Sequence, residues 1–506
     1  EALFSYSLEE GGSGEGSGPE SNVIGTTNVN IAGGEVLEDI IGGGYAYSTA
    51  NDGVKDGFPV IPLSSTANVE GTTNIKVYKG TIEGNIYGGG YVHSVKDSAL
   101  SSTANVTGTT NINISGGTIS GDIYGGGYAY GKTTEANVIG DTNITISGGD
   151  IKGDIYAGGL AENGGTADVT GNATVTFLNG SNLDGSNHVY GLIKNIVTDG
   201  ISDDAKTDSK STLAFGNDTE KFDGTFEGAF SDFDVLRTGK GSVVTIGKLD
   251  GNNINKNITI TGSGRIETSI DNGVGNIALT GGTLAADTIN LGNKTLTLSD
   301  KGILETKSKN IFTNALDTDG KTTESGAVKT DNSIVYDGGS VALNDDKYNL
   351  DYLTKAIAAM GERNTTDTKN KTTILMLGTL VDEVGNIKEE IDIDTATGLG
   401  ENALLDNVTT NVGDGNSTLV IGDTSKTDKG TVSTGSNLNA STLDFSTLGV
   451  GNEEKTITIK NENSKLVLGG TKDGELVTVE GSAAADKVKI NVEDGTLVLG
   501  SALSSG

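Results

Sequence analysis

The chain predicts an all-β fold: an elongated parallel β-helix (β-solenoid), expected right-handed, with one short helical insertion. Three observations carry this expectation. A phrase repeats along the first third of the sequence: Ala-Asn-Val-x-Gly, Thr-Asn-Ile-x-Ile, Gly-Gly, then Ile-x-Gly-Asp-Ile-Tyr-Gly-Gly-Gly-Tyr. Its copies occupy 22–45, 68–91, 105–128 and 137–160, and a degraded copy begins at Asp168. Such self-similarity marks a solenoid, whose units bury their apolar faces only against one another. Apolar residues also alternate with period two, as Ile144 and Ile146 do around Thr145, which is a strand pattern. Finally, glycine pairs and triplets interrupt every alternating run. They suit tight corners with positive φ and oppose helix, where each glycine costs about 1 kcal/mol relative to alanine.

Within the repeat, the Thr-Asn step places Asn28, Asn74, Asn111 and Asn143 at one position, 46, 37 and 32 residues apart. The phrase keeps its length in every copy, so the variation falls between Gly-Gly-Gly-Tyr and the next Asn-Val. Constant rungs with insertions at one corner predict loops on one side, above all 48–66 and 92–103.

The remaining elements follow in chain order. Residues 1–20 form an arm, in which Phe4, Tyr6 and Leu8 alternate with serines, and a Gly/Ser/Glu-rich linker at 11–18. Either this is a disordered start or a strand that adds to an exposed edge. Residues 21–195 are the repeat region and 196–340 continue the coils. Residues 341–372 form an insertion, because Leu350, Leu353, Ile357 and Met360 share one helical face ahead of Gly361. Coils resume over 373–506, where Leu-Val-Ile-Gly or Leu-Val-Leu-Gly at Leu419, Leu466 and Leu497 reads as eroded copies of one rung.

Composition narrows the function. The chain has 506 residues, 78 of them glycine, with no cysteine and no tryptophan. It carries 35 basic against 68 acidic residues, a net charge of −33. Nucleic acid is disfavoured, since its binding needs clustered Lys and Arg and the arginines are only Arg237, Arg265 and Arg363. Disulfide and thiol chemistry are excluded. No apolar stretch of about eighteen residues is present, so none crosses a membrane as a helix.

Two tyrosine series are the candidate binding residues. Tyr87, Tyr124 and Tyr156 recur at one position, where the first copy has Ile41. Tyr45, Tyr91 and Tyr128 recur at another, where the fourth has Leu160. Equivalent residues in successive coils lie roughly 4.8 Å apart, so the rings form either a stabilising ladder or an exposed recognition strip for sugars or proteins. The asparagine series Asn28, Asn74, Asn111 and Asn143 reads as a structural amide ladder. Asp39, Asn85, Asp122 and Asp154 share a position and suggest an outward polar ladder.

Catalysis finds little support. The two histidines are placed in a variable loop (His93) and in the degraded fifth unit (His188), and no G-x-S-x-G elbow is present. No His or Cys set has zinc spacing. Clustered carboxylates on adjacent coils serve some β-helical glycosidases, but a ladder of repeated residues lacks the asymmetry of an active site. No cofactor is expected. Calcium is a candidate at Asp203-Asp204 and Asp345-Asp346, which offer oxygen ligands without an EF-hand loop or calcium nonapeptide.

With Ile-Tyr-Gly-Gly-Gly-Tyr, Asn-Ile-x-Ile-Ser-Gly-Gly and Gly-x-Leu-x-Leu-Gly in view, the chain resembles the passenger regions of bacterial autotransporter adhesins. The resemblance implies a β-helix outside the bacterial outer membrane, secreted or held at the cell surface, that engages a protein or glycan of host or neighbouring cells. Residues up to Gly506 lack the aromatic-girdled strands of the translocating β-barrel, as expected of a released passenger or of a subunit capped by another. The second case defines an alternative, an extracellular filament or surface layer assembled end to end through uncapped coils. A polysaccharide-active β-helix enzyme is the third reading.

Overall fold

The computed structural model describes residues 20–48, 64–94, 101–183, 185–193, 209–271, 275–292 and 294–306, and elsewhere only individual strands. The arm residues Phe4, Tyr6 and Leu8, the residues Leu350, Leu353, Ile357 and Met360 of the expected helix, and the Asp203-Asp204 and Asp345-Asp346 pairs lie outside the described residues. The chain divides into two compact units, Glu1–Arg265 and Ile266–Gly506.

The first unit is a parallel β-helix in which four successive coils each add a strand to three sheets and the next two coils extend the first two sheets alone. The first sheet takes Thr27–Val36, Thr73–Ile82, Thr110–Ile119 and Thr142–Ile151, then Ala173–Phe177 and Ser211–Phe215. The second takes Ile40–Ile41, Ile86–Tyr87, Ile123–Tyr124, Ile155–Tyr156, His188–Tyr190 and Ala229–Ser231. The third takes Tyr45–Ser48, Tyr91–Ser94, Tyr128–Tyr130 and Leu160–Glu162. All pairings in these sheets are parallel and join like positions of the repeat, for example Ile112 with Ile75 and with Ile144. Identical letters therefore stack because each inward isoleucine meets the same residue above and below. Ile75, Ile112 and Ile144 are at most 1% exposed, as are Ile86, Ile123 and Ile155.

Repeated small residues close the coil. Val69, Val106, Val138 and Val169 form one buried column, and Ala67, Ala104, Ala136 and Ala167 line another. The glycines divide into two kinds, which corrects the expectation that all supply positive φ. Gly80, Gly117 and Gly149, the second residues of the Gly-Gly step (Lys-Gly in the second copy), have φ of 108°, 97° and 96°, and the strands around Gly117 and Gly149 break register at a bulge. The triple glycines have no positive φ. They are required by close approach: a Cβ on Gly90 would lie 1.9 Å from the Ala104 carbonyl oxygen, and one on Gly88 would lie 2.4 Å from that of Gly125.

A hydrogen bond explains why the Thr-Asn step and the triple glycine keep their distance. Thr27, Thr73, Thr110 and Thr142 each donate Oγ1 to the carbonyl oxygen 15 residues on, at Gly42, Gly88, Gly125 and Ala157 (2.6–2.7 Å). Thr73, Thr110 and Thr142 are fully buried, so each bond satisfies a hydroxyl and a carbonyl that water does not reach. An inserted residue between them would break it.

The second unit is also built from parallel strands, among them Ile277–Leu279, Thr295–Thr306 and Ser333–Leu343. Leu296 and Leu298, read from sequence as a short strand, lie in a continuous twelve-residue strand. Leu466 and Leu497 pair in register, whereas Leu419 pairs with Ile457 of the same long strand.

Candidate functional site

Four-residue strands such as Tyr45–Ser48, with exposed Tyr45 and Tyr47 around buried Ala46 and Ser48, turn every second side chain of the third sheet outward. In register this makes two aromatic columns. Tyr45, Tyr91 and Tyr128 stack with centroids 5.2 and 4.7 Å apart. Tyr47, His93 and Tyr130 follow at 5.6 and 4.5 Å. His93 is thus a strand residue and not part of a loop. The second column escaped the sequence reading, although Tyr47, His93 and Tyr130 stand two residues after Tyr45, Tyr91 and Tyr128 and so share their parity.

A third column belongs to the second sheet. Tyr87, Tyr124, Tyr156 and Tyr190 stack at 5.0, 4.6 and 4.7 Å with interplanar angles of 13°, 6° and 7°. Tyr87 and Tyr124 are only 2% and 4% exposed, so at this position the rings form no open strip. Tyr87 also meets Tyr91 edge-on at 5.6 Å, which joins this column to the outward face of the third sheet. Tyr45 and Tyr47, each 48% exposed, are its most accessible rings.

Stacking along the coil axis decides what the face offers. Between coils the ring faces are taken by the rings above and below, whereas Tyr45 and Tyr47, in the first coil, stack on a ring of the next coil on one side only. Tyr128 donates Oη to Glu162 Oε2 (2.7 Å) and Tyr124 to Asp122 Oδ2 (3.1 Å), while Asn85 Nδ2 donates to Tyr87 Oη (3.1 Å). Burial, reinforced by the Asp39 charge, pushes the Tyr91 phenol up to about 12. Burial likewise raises Tyr87, Tyr124, Tyr128 and Tyr156, with the hydrogen bond to Glu162 adding to it at Tyr128. These groups are neutral hydrogen-bonding phenols at pH 7.

One polar column is bound side chain to side chain and two are bound into the backbone. Asn74 Nδ2 donates to Asn28 Oδ1, Asn111 to Asn74 and Asn143 to Asn111, at 3.0–3.1 Å. Asp39, Asn85, Asp122 and Asp154 each accept on Oδ1 from the backbone N–H one coil on, at 2.7–2.8 Å; the last of these donors is His188. A further column, which sequence reasoning missed, runs Asn22, Asn68, Asn105, Asn137 and does the same up to Asp168. Its signal was the invariant Asn of Ala-Asn-Val.

The insertions all leave from the end of the third sheet. After Tyr130 and Glu162 the chain returns through tight turns in which Thr133 and Asn163 adopt φ of 62° and 52°. In the earlier coils Ser48, Ser65 and Ser102 gather their hydroxyls at 3.2–3.4 Å in the interior, pinning the feet of the loops. The variable segments therefore start beside the Tyr47–His93–Tyr130 column.

No three His, Asp or Glu gather to hold a metal among the described residues, and no helix described is long and apolar enough to cross a membrane. Comparison of the chain with protein-family models, with curated proteins and with solved structures gave no significant match.

Proposed function

We propose that this chain is a non-enzymatic attachment protein, displayed or secreted outside a bacterial cell, whose third-sheet face and adjoining loops hold a surface protein of another cell. The observation that carries the reading is the double column Tyr45–Tyr91–Tyr128 and Tyr47–His93–Tyr130, set on a rigid sheet beside the corner where the repeat varies in length. Tyrosine supplies contact area and hydrogen bonding at low entropic cost, which is why binding surfaces favour it. Because the ring faces between coils are occupied, the partner meets mostly ring edges, with open faces only at the end rings such as Tyr45 and Tyr47. A face made mostly of edges suits a protein surface better than a run of sugars, each of which stacks on a free ring face. The carboxylates of the Asp39–Asp154 column are occupied with backbone N–H groups, which favours binding over hydrolysis.

The test is saturable binding of the purified chain to bacterial and host cells. The triple variant Tyr47→Ser, His93→Ser, Tyr130→Ser is expected to keep its circular dichroism and lose about tenfold or more in affinity. Protease treatment of the target cells should abolish binding and glycosidase treatment should spare it. Unchanged binding by the variant would remove this face from the account.

A further inference from the structure

The second sheet stops at Ala229–Ser231. After Val243–Ile246 the chain does not add another strand there but turns through 247–253. The step leaves a cleft of about 410 Å³, bounded by His188, by Thr225 to Phe230, by Ile246 to Lys248 and by Asp250, Asn252 and Asn253. That volume falls in the range of small-ligand sites.

Its floor is apolar. Phe226, Phe230 and Ile246 lie beneath it, 6%, 2% and 5% exposed. One wall is a loop fastened to itself. Asp250 N–H donates to Asn253 Oδ1 (2.8 Å), Asn252 N–H to Asp250 Oδ1 (2.9 Å), Asn253 Nδ2 to the Lys248 carbonyl (2.7 Å) and Ile254 N–H to the Asp250 carbonyl (2.8 Å). A wall held this way needs no ordering when a ligand arrives.

The charges do not cancel. Lys248 Nζ sits 3.0 Å from Asp250 Oδ2, so that pair is neutral as a unit. Glu227, an exposed residue of the lining, has no ion-pair partner among the described residues. His188 adds no positive charge at pH 7. Its ring stacks on Tyr190 at 4.0 Å with Nε2 3.0 Å from Ser231 Oγ, and burial draws its pKa below the usual histidine value. An apolar floor with one surplus carboxylate at the rim is complementary to an alkyl stem ending in a cation.

We propose that this cleft binds a protonated primary amine on an aliphatic stem, with the stem over Phe226, Phe230 and Ile246 and the ammonium at Glu227. The ligand is either a free alkylamine or a lysine side chain presented by a polypeptide. The inference is independent of the third-sheet face and survives its failure.

The test uses the full chain in calorimetric titrations with n-butylamine, with Nα-acetyl-lysine methylamide and with n-butanol. Amide spectra report whether the signals of Gly228 and Gly247 shift. Both amines are expected to bind and to shift those two amides, and n-butanol to bind about tenfold more weakly. Glu227→Gln should weaken amine binding about tenfold, leaving butanol unchanged. Lys248→Met should strengthen it by uncovering Asp250. Tighter binding of the lysine derivative than of butylamine assigns the site to a polypeptide partner, and the reverse order to a free amine. Equal affinity for butylamine and butanol, an unaffected Glu227→Gln variant, or no binding at millimolar concentrations would each overturn the proposal.

Discussion

Gly90 faces the carbonyl of Ala104 so closely that a methyl group in place of its hydrogen would stand 1.9 Å from the oxygen. The same relation recurs between Gly127 and Ala136 and between Gly159 and Ala167. The coil is thin at this corner, with the turn after the second sheet pressed against the segment that opens the next coil. No rotamer change relieves a clash with backbone. Gly90→Ala should therefore destabilise the first unit by about 3 kcal/mol or more. Gly247→Ala, at a position with open space and no positive φ, should be neutral or stabilising by about 0.4–1 kcal/mol. Urea unfolding of the two variants checks the contrast.

The amide column predicts a difference between its middle and its end. Asn111 gives a hydrogen bond to Asn74 and receives one from Asn143, whereas Asn28 only receives one, from Asn74. At about 0.5–1.5 kcal/mol net per bond, Asn111→Ala should cost about twice as much as Asn28→Ala in equilibrium unfolding. Equal losses would mean that the bonds contribute little beyond packing.

Much of this architecture was legible in the sequence because a solenoid writes its contacts as spacings. Ile112 and Ile144 occupy the same letter of the phrase, and they pair. What period-two reasoning cannot supply is the distance between non-adjacent strands. Its positive φ at Gly88–Gly90 gives way to close backbone approach, and its variable loop after Tyr91 begins too early, because His93 continues the strand. It also could not tell a ladder of rings from an open strip. That depends on how far the neighbouring sheet overhangs Tyr87 and Tyr124, which is set by the coil's cross-section.

The stacked phenols predict an alkaline limit. A free tyrosine is half ionised near pH 10, whereas Tyr91 is pushed up to about 12 and Tyr87, Tyr124, Tyr128 and Tyr156 are raised as well. Below pH 10 native and unfolded chains both keep these protons, so the stabilisation is complete. Above pH 10 the unfolded chain releases them first, so stability falls as pH climbs toward the native values. Ultraviolet titration of phenolate should show these tyrosines ionising only as circular dichroism reports unfolding. Their ionisation near pH 10 in a folded chain would contradict the buried stack.

His188 predicts the opposite slope in acid. Burial lowers its pKa, with the charges of Asp154 and Asp232 opposing in part. Its contribution is therefore present above the ordinary histidine value of about 6.5 and is lost as pH falls through the lower native value. His188→Asn should flatten the stability profile in that window, measured by urea unfolding from pH 7 to pH 4.

The most direct measurement asks whether equal letters of the phrase lie one coil apart. The chain has no cysteine, so engineered pairs report without background. Asn113 and Thr145 are partners on adjacent coils, and Lys76 lies one coil further, beside Asn113. Under mild oxidation the Asn113→Cys, Thr145→Cys pair should form an intramolecular disulfide, its Cα atoms roughly 4.8 Å apart. The Lys76→Cys, Thr145→Cys pair, two coils apart at roughly 9.6 Å, should not. Cross-linking of the second pair but not the first would contradict the stacked-coil architecture.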